Sequence, residues 1–151
     1  MKSAALLAAA ALLAGAGTAA ASAAPEHAVS MTLGEREVAQ HFIDTGKHGV
    51  SAGDRNVVRS QVLNDAGKVI GRFDVDCVVT GTGKQLGGLC HGVITLPDGQ
   101  LVGEFAFDRS GSARYQAIVG GTRAYAGMRG QATVETGGND PVEKFTIELD
   151  R

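Results

Sequence analysis

Between Val69 and Val134 the chain alternates apolar and polar residues in short runs, each closed by a turn signal, with two cysteines and the segment VGGTRAYAGMRG inside. Such alternation builds half-buried strands, and evenly spaced turns between them favour a barrel or sandwich over a parallel sheet. The runs are VVRSQVL from Val57, VIGRFDVDCVV from Val69, LCHGVITL from Leu89, LVGEFAFD from Leu101, ARYQAIV from Ala113, GQATVET from Gly130 and VEKFTIEL from Val142. Upstream, Glu35 to Ile43 fits a first strand or a short helix.

The turns predict the register. Asp98-Gly99 reads as a two-residue turn, which sets Ile94 against Gly103, Gly92 against Phe105 and Cys90 against Phe107. Arg109-Ser110-Gly111 reads as a three-residue turn that sets Phe105 against Tyr115 and Gly103 against Ala117. Pairing Cys77 with Cys90 sets Val75 against Gly92 and Phe73 against Ile94. In all three hairpins the apolar faces meet. The turn Asp65-Ala66-Gly67 disagrees, because it puts Arg59 and Gln61 on the face that is apolar elsewhere. Either a β-bulge returns both to solvent or they look into a cavity.

Residues Met1 to Ala24 have the layout of an export signal: Lys2, an Ala/Leu-rich apolar stretch, then ASAA before Pro25. The apolar run is short for a membrane span of about 30 Å, so no membrane insertion of the mature chain is expected. Cleavage after Ala24 leaves 127 of the 151 residues, one domain: an N-terminal segment 25–52 that holds the strand-or-helix stretch, and a barrel body 53–151. Without Lys2, 13 basic residues face 16 acidic ones, a net charge of −3, which offers no footprint for nucleic acid or an anionic membrane. An exported protein with two cysteines spaced for neither metal nor redox chemistry is expected to bond them, Cys77 to Cys90.

The inward list is slight. Gly71, Gly92, Gly103, Ala113, Ala117 and Ala132 alternate with Phe73, Phe105, Tyr115 and Phe145. At about eight strands an interior is just wide enough to be filled or to hold one small ligand. Small lining residues leave either a pocket or room for the phenylalanines of facing strands. Outside, Arg72, Asp74 and Asp76 recur at period two opposite Phe73 and Val75, as a solvated stripe or a subunit contact. Four histidines show no ligand spacing, no metal site is expected, and no nucleophile-elbow, zincin or phosphate-loop motif is present.

The motifs GDR at Gly53–Arg55, NDAGKVIG at Asn64–Gly71, LPDGQL at Leu96–Leu101 and AIVGGTRAYAGMRG at Ala117–Gly130, with Cys77 and Cys90, resemble the allene oxide cyclase and dirigent protein superfamily. The likeness is strongest to its secreted bacterial barrel-like members and runs from Gly53 to the end of the chain. It implies an all-β fold, a closed antiparallel barrel of about eight strands, often a homotrimer, with a hydrophobic cavity and no cofactor. Relatives in that superfamily cyclise epoxide-derived fatty acids, orient phenoxy radicals or quinone methides, or guide polyketide cycloadditions.

The function expected on this basis is a secreted or cell-envelope barrel that binds a small hydrophobic molecule and steers its cyclisation or coupling by confinement, isomerase-like if catalytic. Two rivals are a lipocalin-type binding module and a structural envelope protein. The expected ligand contacts are Arg59, Gln61, Phe73, Phe105, Tyr115 and Arg129. Arg129 holds the superfamily's arginine before glycine, Tyr125 its aromatic, and Arg123 stands where that pattern has glycine. The plant cyclases carry a pocket glutamate on an early strand; no motif ties Glu35 or Glu37 to it.

Overall fold

The computed structural model describes residues 29–109, 115–135 and 141–150. The predicted export segment, Ser110 and Gly111 of the predicted turn, and Ser112 and Ala113 lie outside them. Eight strands follow one another: β1 Val29–Ile43, β2 Arg55–Leu63, β3 Val69–Gly81, β4 Gly87–Leu96, β5 Gly99–Asp108, β6 Tyr115–Gly121, β7 Arg129–Glu135 and β8 Glu143–Asp150. Each pairs antiparallel with the next, and β8 returns to β1 to close an eight-stranded barrel. The segment open to strand or helix is strand, and it begins at Val29, ahead of the expected Glu35.

The Cys77–Cys90 disulfide is formed between directly paired residues, with Val75 against Gly92 and Phe73 against Ile94 as expected. Between β2 and β3 the register shifts at Val62/Leu63, so Ser60 rather than Arg59 faces Phe73. The bulge returns Arg59 and Gln61 to the outer face, against the cavity alternative.

Two registers differ from expectation. The β4–β5 turn is Pro97-Asp98, and Gly99 is already in the strand, opposite Leu96. The fixed φ of proline suits the first turn position. Gly99, at φ +154°, is held against Thr122, whose carbonyl oxygen would lie 2.2 Å from a Cβ there. The displacement is two residues, so the faces survive, with Cys90 now opposite Phe105.

Between β5 and β6 the slip is one residue: Ala117 pairs with Glu104 and Ile118 with Gly103. A one-residue slip exchanges the two faces of a strand. Tyr115 is therefore 65% exposed on the outside, while Gln116, 6% exposed, and Ile118 point in.

One end of the barrel has a floor. Leu96, Leu101, Met128 and Leu149 are buried there, and Tyr125 packs partly buried against the same core. Backbone bonds from Thr122 N to Gln100 O (2.9 Å) and Ala124 N to Asp98 O (3.1 Å) tie the β6–β7 link beneath the β4–β5 turn. Arg123 adopts φ +55°, the left-handed conformation that glycine would take without strain. The chain follows a glycine-like path there despite its side chain.

At the other end Asp54 organises the β1–β2 connection. Its carboxylate accepts hydrogen bonds from Thr45 N (2.9 Å) and Ser51 N (2.6 Å), and solvent does not reach it although it sits at the protein's edge.

Candidate functional site

The middle of the barrel is filled. Phe73 and Phe145 pack edge to face with ring centroids 5.7 Å apart. The glycines opposite make room for these rings: a Cβ on Gly92 would lie 2.6 Å from the Phe73 ring. Of the two purposes open to small lining residues, this structure uses them to accommodate phenylalanine. The space left between Leu33, Glu35, Val62, Phe73, Ile94 and Phe145 is about 10 Å³, at most one water molecule.

Above that level the interior opens. Strand alternation points Val58, Phe105, Phe107 and Val134 inward, yet all four are only partly buried. Inward residues that solvent still reaches define a cup. Phe42 stands at its rim, 51% exposed.

One wall of the cup is acidic. Glu35 continues the inward series of Met31 and Leu33 and pairs with Glu143 on β8 and Val62 on β2. Glu37, two residues on, pairs with Ser60. Burial against Val62 and the phenylalanines pushes the Glu35 carboxyl up to about 7, and the Glu143 and Glu37 charges add to the rise. Burial, then Glu37, raises Glu143 in the same direction. The neighbouring Ser60 hydroxyl pulls Glu35 the other way, yet Ser60 Oγ, in a residue 1% exposed, completes no hydrogen bond at 3.5 Å or less. Among the described residues no three acidic, histidine or cysteine side chains are placed to hold a metal ion.

Of the six residues expected to line the site, Phe73 is buried in the core and Phe105 half-buried in the cup. Arg59, Gln61, Tyr115 and Arg129 lie on the outer surface, so none of these four faces the interior. Arg59 binds Asp74 at 2.7 Å, Arg72 binds the same carboxylate at 2.8 Å, and Arg55 grips Asp76 through two nitrogens. Arg72, Asp74 and Asp76 thus form the outer stripe that period two predicts. Gln61 accepts a hydrogen bond from Arg36 at 2.6 Å. The sequence reading left Glu35 unassigned and missed Ser60 and Gln116. Glu35 carried a signal: it breaks the apolar face that Val29, Met31 and Leu33 begin.

No family model matches the chain, and no curated protein matches it. Solved structures do. A pyocyanin demethylase shares 29% identity over 80% of this chain and 99% of its own, at TM-score 0.68. A pterocarpan synthase dirigent protein shares 14% identity over 83% of this chain and 86% of its own, at TM-score 0.65. A Diels-Alderase from Streptomyces koyangensis shares 16% identity over 82% of this chain and 64% of its own, at TM-score 0.64.

The described residues form a closed, eight-stranded antiparallel β-barrel with a floor at one end and an acid-walled cup at the other. Its fold is that of the dirigent and cyclase barrels, as the resemblance to the allene oxide cyclase and dirigent superfamily implied.

Proposed function

We propose that this barrel binds a small, largely hydrophobic molecule in the cup and steers its cyclisation, coupling or a related rearrangement without a cofactor. The observation that carries the reading is Glu35, an inward carboxyl set between Leu33, Val62 and the core phenylalanines on one side and Glu37 and Glu143 on the other, and pushed up to about 7 chiefly by burial. An acid with that poise donates or accepts a proton at neutral pH, and positioned proton transfer contributes about 10² to 10⁴ in rate. The half-buried Phe105 and Phe107 supply the surface that fixes the guest's conformation. Barrels of this fold that act as a Diels-Alderase, a dirigent protein and a demethylase support chemistry by confinement. The filled middle limits the guest to the upper half of the barrel.

The filled middle also favours a second reading, a carrier or envelope module that performs no turnover. The two separate in one experiment. The protein is recovered from the medium of its host, its bound small molecules are extracted and identified, and wild type is compared with Glu35→Gln on them. Conversion by wild type that the variant loses supports the first reading. Equal retention with no conversion supports the second, and a preparation that carries nothing and binds no apolar probe removes both.

Export to an oxidising compartment belongs to the same proposal and is supported by the Cys77–Cys90 bond. Two free thiols in the denatured, native-source protein would overturn it.

A further inference from the structure

The charged residues of the strands are sorted by face. Arg36, Arg55, Arg59, Arg72, Arg129 and Lys144 all project outward, on the alternation set by their inward neighbours. The charged side chains that the same alternation turns inward are Glu35, Glu37 and Glu143. Among the described strand residues, then, the cup has three carboxyl groups and no cation to neutralise them.

Carboxylates gathered on a partly desolvated wall repel one another and are costly unless something positive joins them. Outer-face arginines are out of reach, since each lies across the sheet. Ser60 adds an independent sign: its hydroxyl is buried beside Glu35 with no hydrogen-bond partner, as expected where a group from outside the chain completes the site. Among the described residues the metal alternative lacks the required cluster of ligands. The opposite wall offers the half-buried rings of Phe105 and Phe107, whose faces attract a cation.

We propose that the cup is selective for small organic cations, molecules with an apolar body and a positively charged nitrogen, held between the Glu35–Glu37–Glu143 wall and the Phe105 and Phe107 rings. The inference rests on the binding reading above and narrows its ligand class. An anionic guest would meet three like charges, and a neutral one would leave them unpaired.

The test uses three probes of similar size: phenyltrimethylammonium, its neutral isostere tert-butylbenzene, and benzenesulfonate. Binding to the full-length folded protein is measured by calorimetry or by NMR shifts of the Phe105 and Phe107 rings, at pH 5.5 and 8.5. The groups facing Glu35 are Glu37 on its own strand, Ser60 on β2 and Glu143 on β8; Arg36 and Lys144 point away. The cation is expected to bind at least about tenfold more tightly than either other probe at pH 8.5, and about tenfold more tightly there than at pH 5.5. Glu35→Gln should abolish the pH dependence and Glu143→Gln should weaken the cation at both pH values. Glu104→Gln, on the outer face, should change nothing. Should Glu35→Gln not fold, Glu143→Gln and the wild-type pH profile carry the test. A neutral or anionic probe that binds as well as the cation overturns the charge selectivity and leaves the cup as a binding site. Failure of all three probes overturns the selectivity and the binding reading together.

Discussion

Phe73 on β3 and Phe145 on β8 meet edge to face at 5.7 Å although their strands are not neighbours, and the Phe73 ring fills the space left by Gly92. The pair therefore spans the interior and sets the depth of the cup. Truncation of Phe73 to alanine should cost about 3 to 5 kcal/mol in urea denaturation. Gly92→Ala should cost about 1 to 3 kcal/mol by overpacking. Combining Gly92→Ala with Phe73→Leu should recover much of that loss, and strict additivity in the double-mutant cycle would refute the contact.

Glu35 ties stability to pH. Its carboxyl is raised to about 7 in the folded chain from 4.5 when free, so between these values the folded state holds a proton that the unfolded state releases. The contribution is most favourable below the unfolded value and is lost as pH rises through 7. By this group alone, stability at pH 8 should be lower than at pH 5 by at most about 3 kcal/mol. Urea midpoints should show the decline in wild type and a flatter profile in Glu35→Gln.

Asp54 works in the opposite direction. Hydrogen bonds from the Thr45 and Ser51 backbone N–H groups hold its carboxyl below the usual 3.8. Its stabilisation is therefore present above that value and is lost as pH falls through the lower, folded one. Amide exchange at Thr45 and Ser51 should accelerate below about pH 4. In Asp54→Ala it should be fast at every pH, and protection that persists in the variant would refute the role.

Reduction of Cys77–Cys90, which closes a loop with a sequence separation of 13, should lower stability by roughly 3 kcal/mol. The readout is the melting temperature with and without reductant, with the double serine variant as a control insensitive to it.

Arg123 keeps a left-handed backbone at φ +55° and sends its guanidinium to Pro97 O at 3.3 Å. Arg123→Gly removes a conformational cost of about 1 to 2 kcal/mol and loses one exposed hydrogen bond. A small net stabilisation is expected. A loss above about 1 kcal/mol would show that the guanidinium contact outweighs the strain.

The closed barrel was legible because Cys77 and Cys90, with the alternation around them, fix the faces of β3 and β4 independently of any turn. The Pro97-Asp98 turn was misplaced by two residues without harm, since a two-residue step keeps side chains on their own face. Tyr115 was lost to a one-residue slip. On β6 polarity favours the wrong face: Tyr115, Ala117 and Val119 are apolar or aromatic yet point outward, while the inward set of Gln116, Ile118 and Gly120 carries a glutamine. The site was less legible than the fold for a related reason. The arginines and the tyrosine looked functional by type, whereas Glu35 and Ser60 matter through register and burial, which emerge only when β8 meets β1.

Tyr125 and Met128 block the far end of the cylinder. Any molecule admitted at the rim by Phe42 enters a cul-de-sac and must back out along the same route. If the proposed turnover holds, spent and fresh molecules would queue for one doorway, and whatever leaves slowly would inhibit its successor competitively.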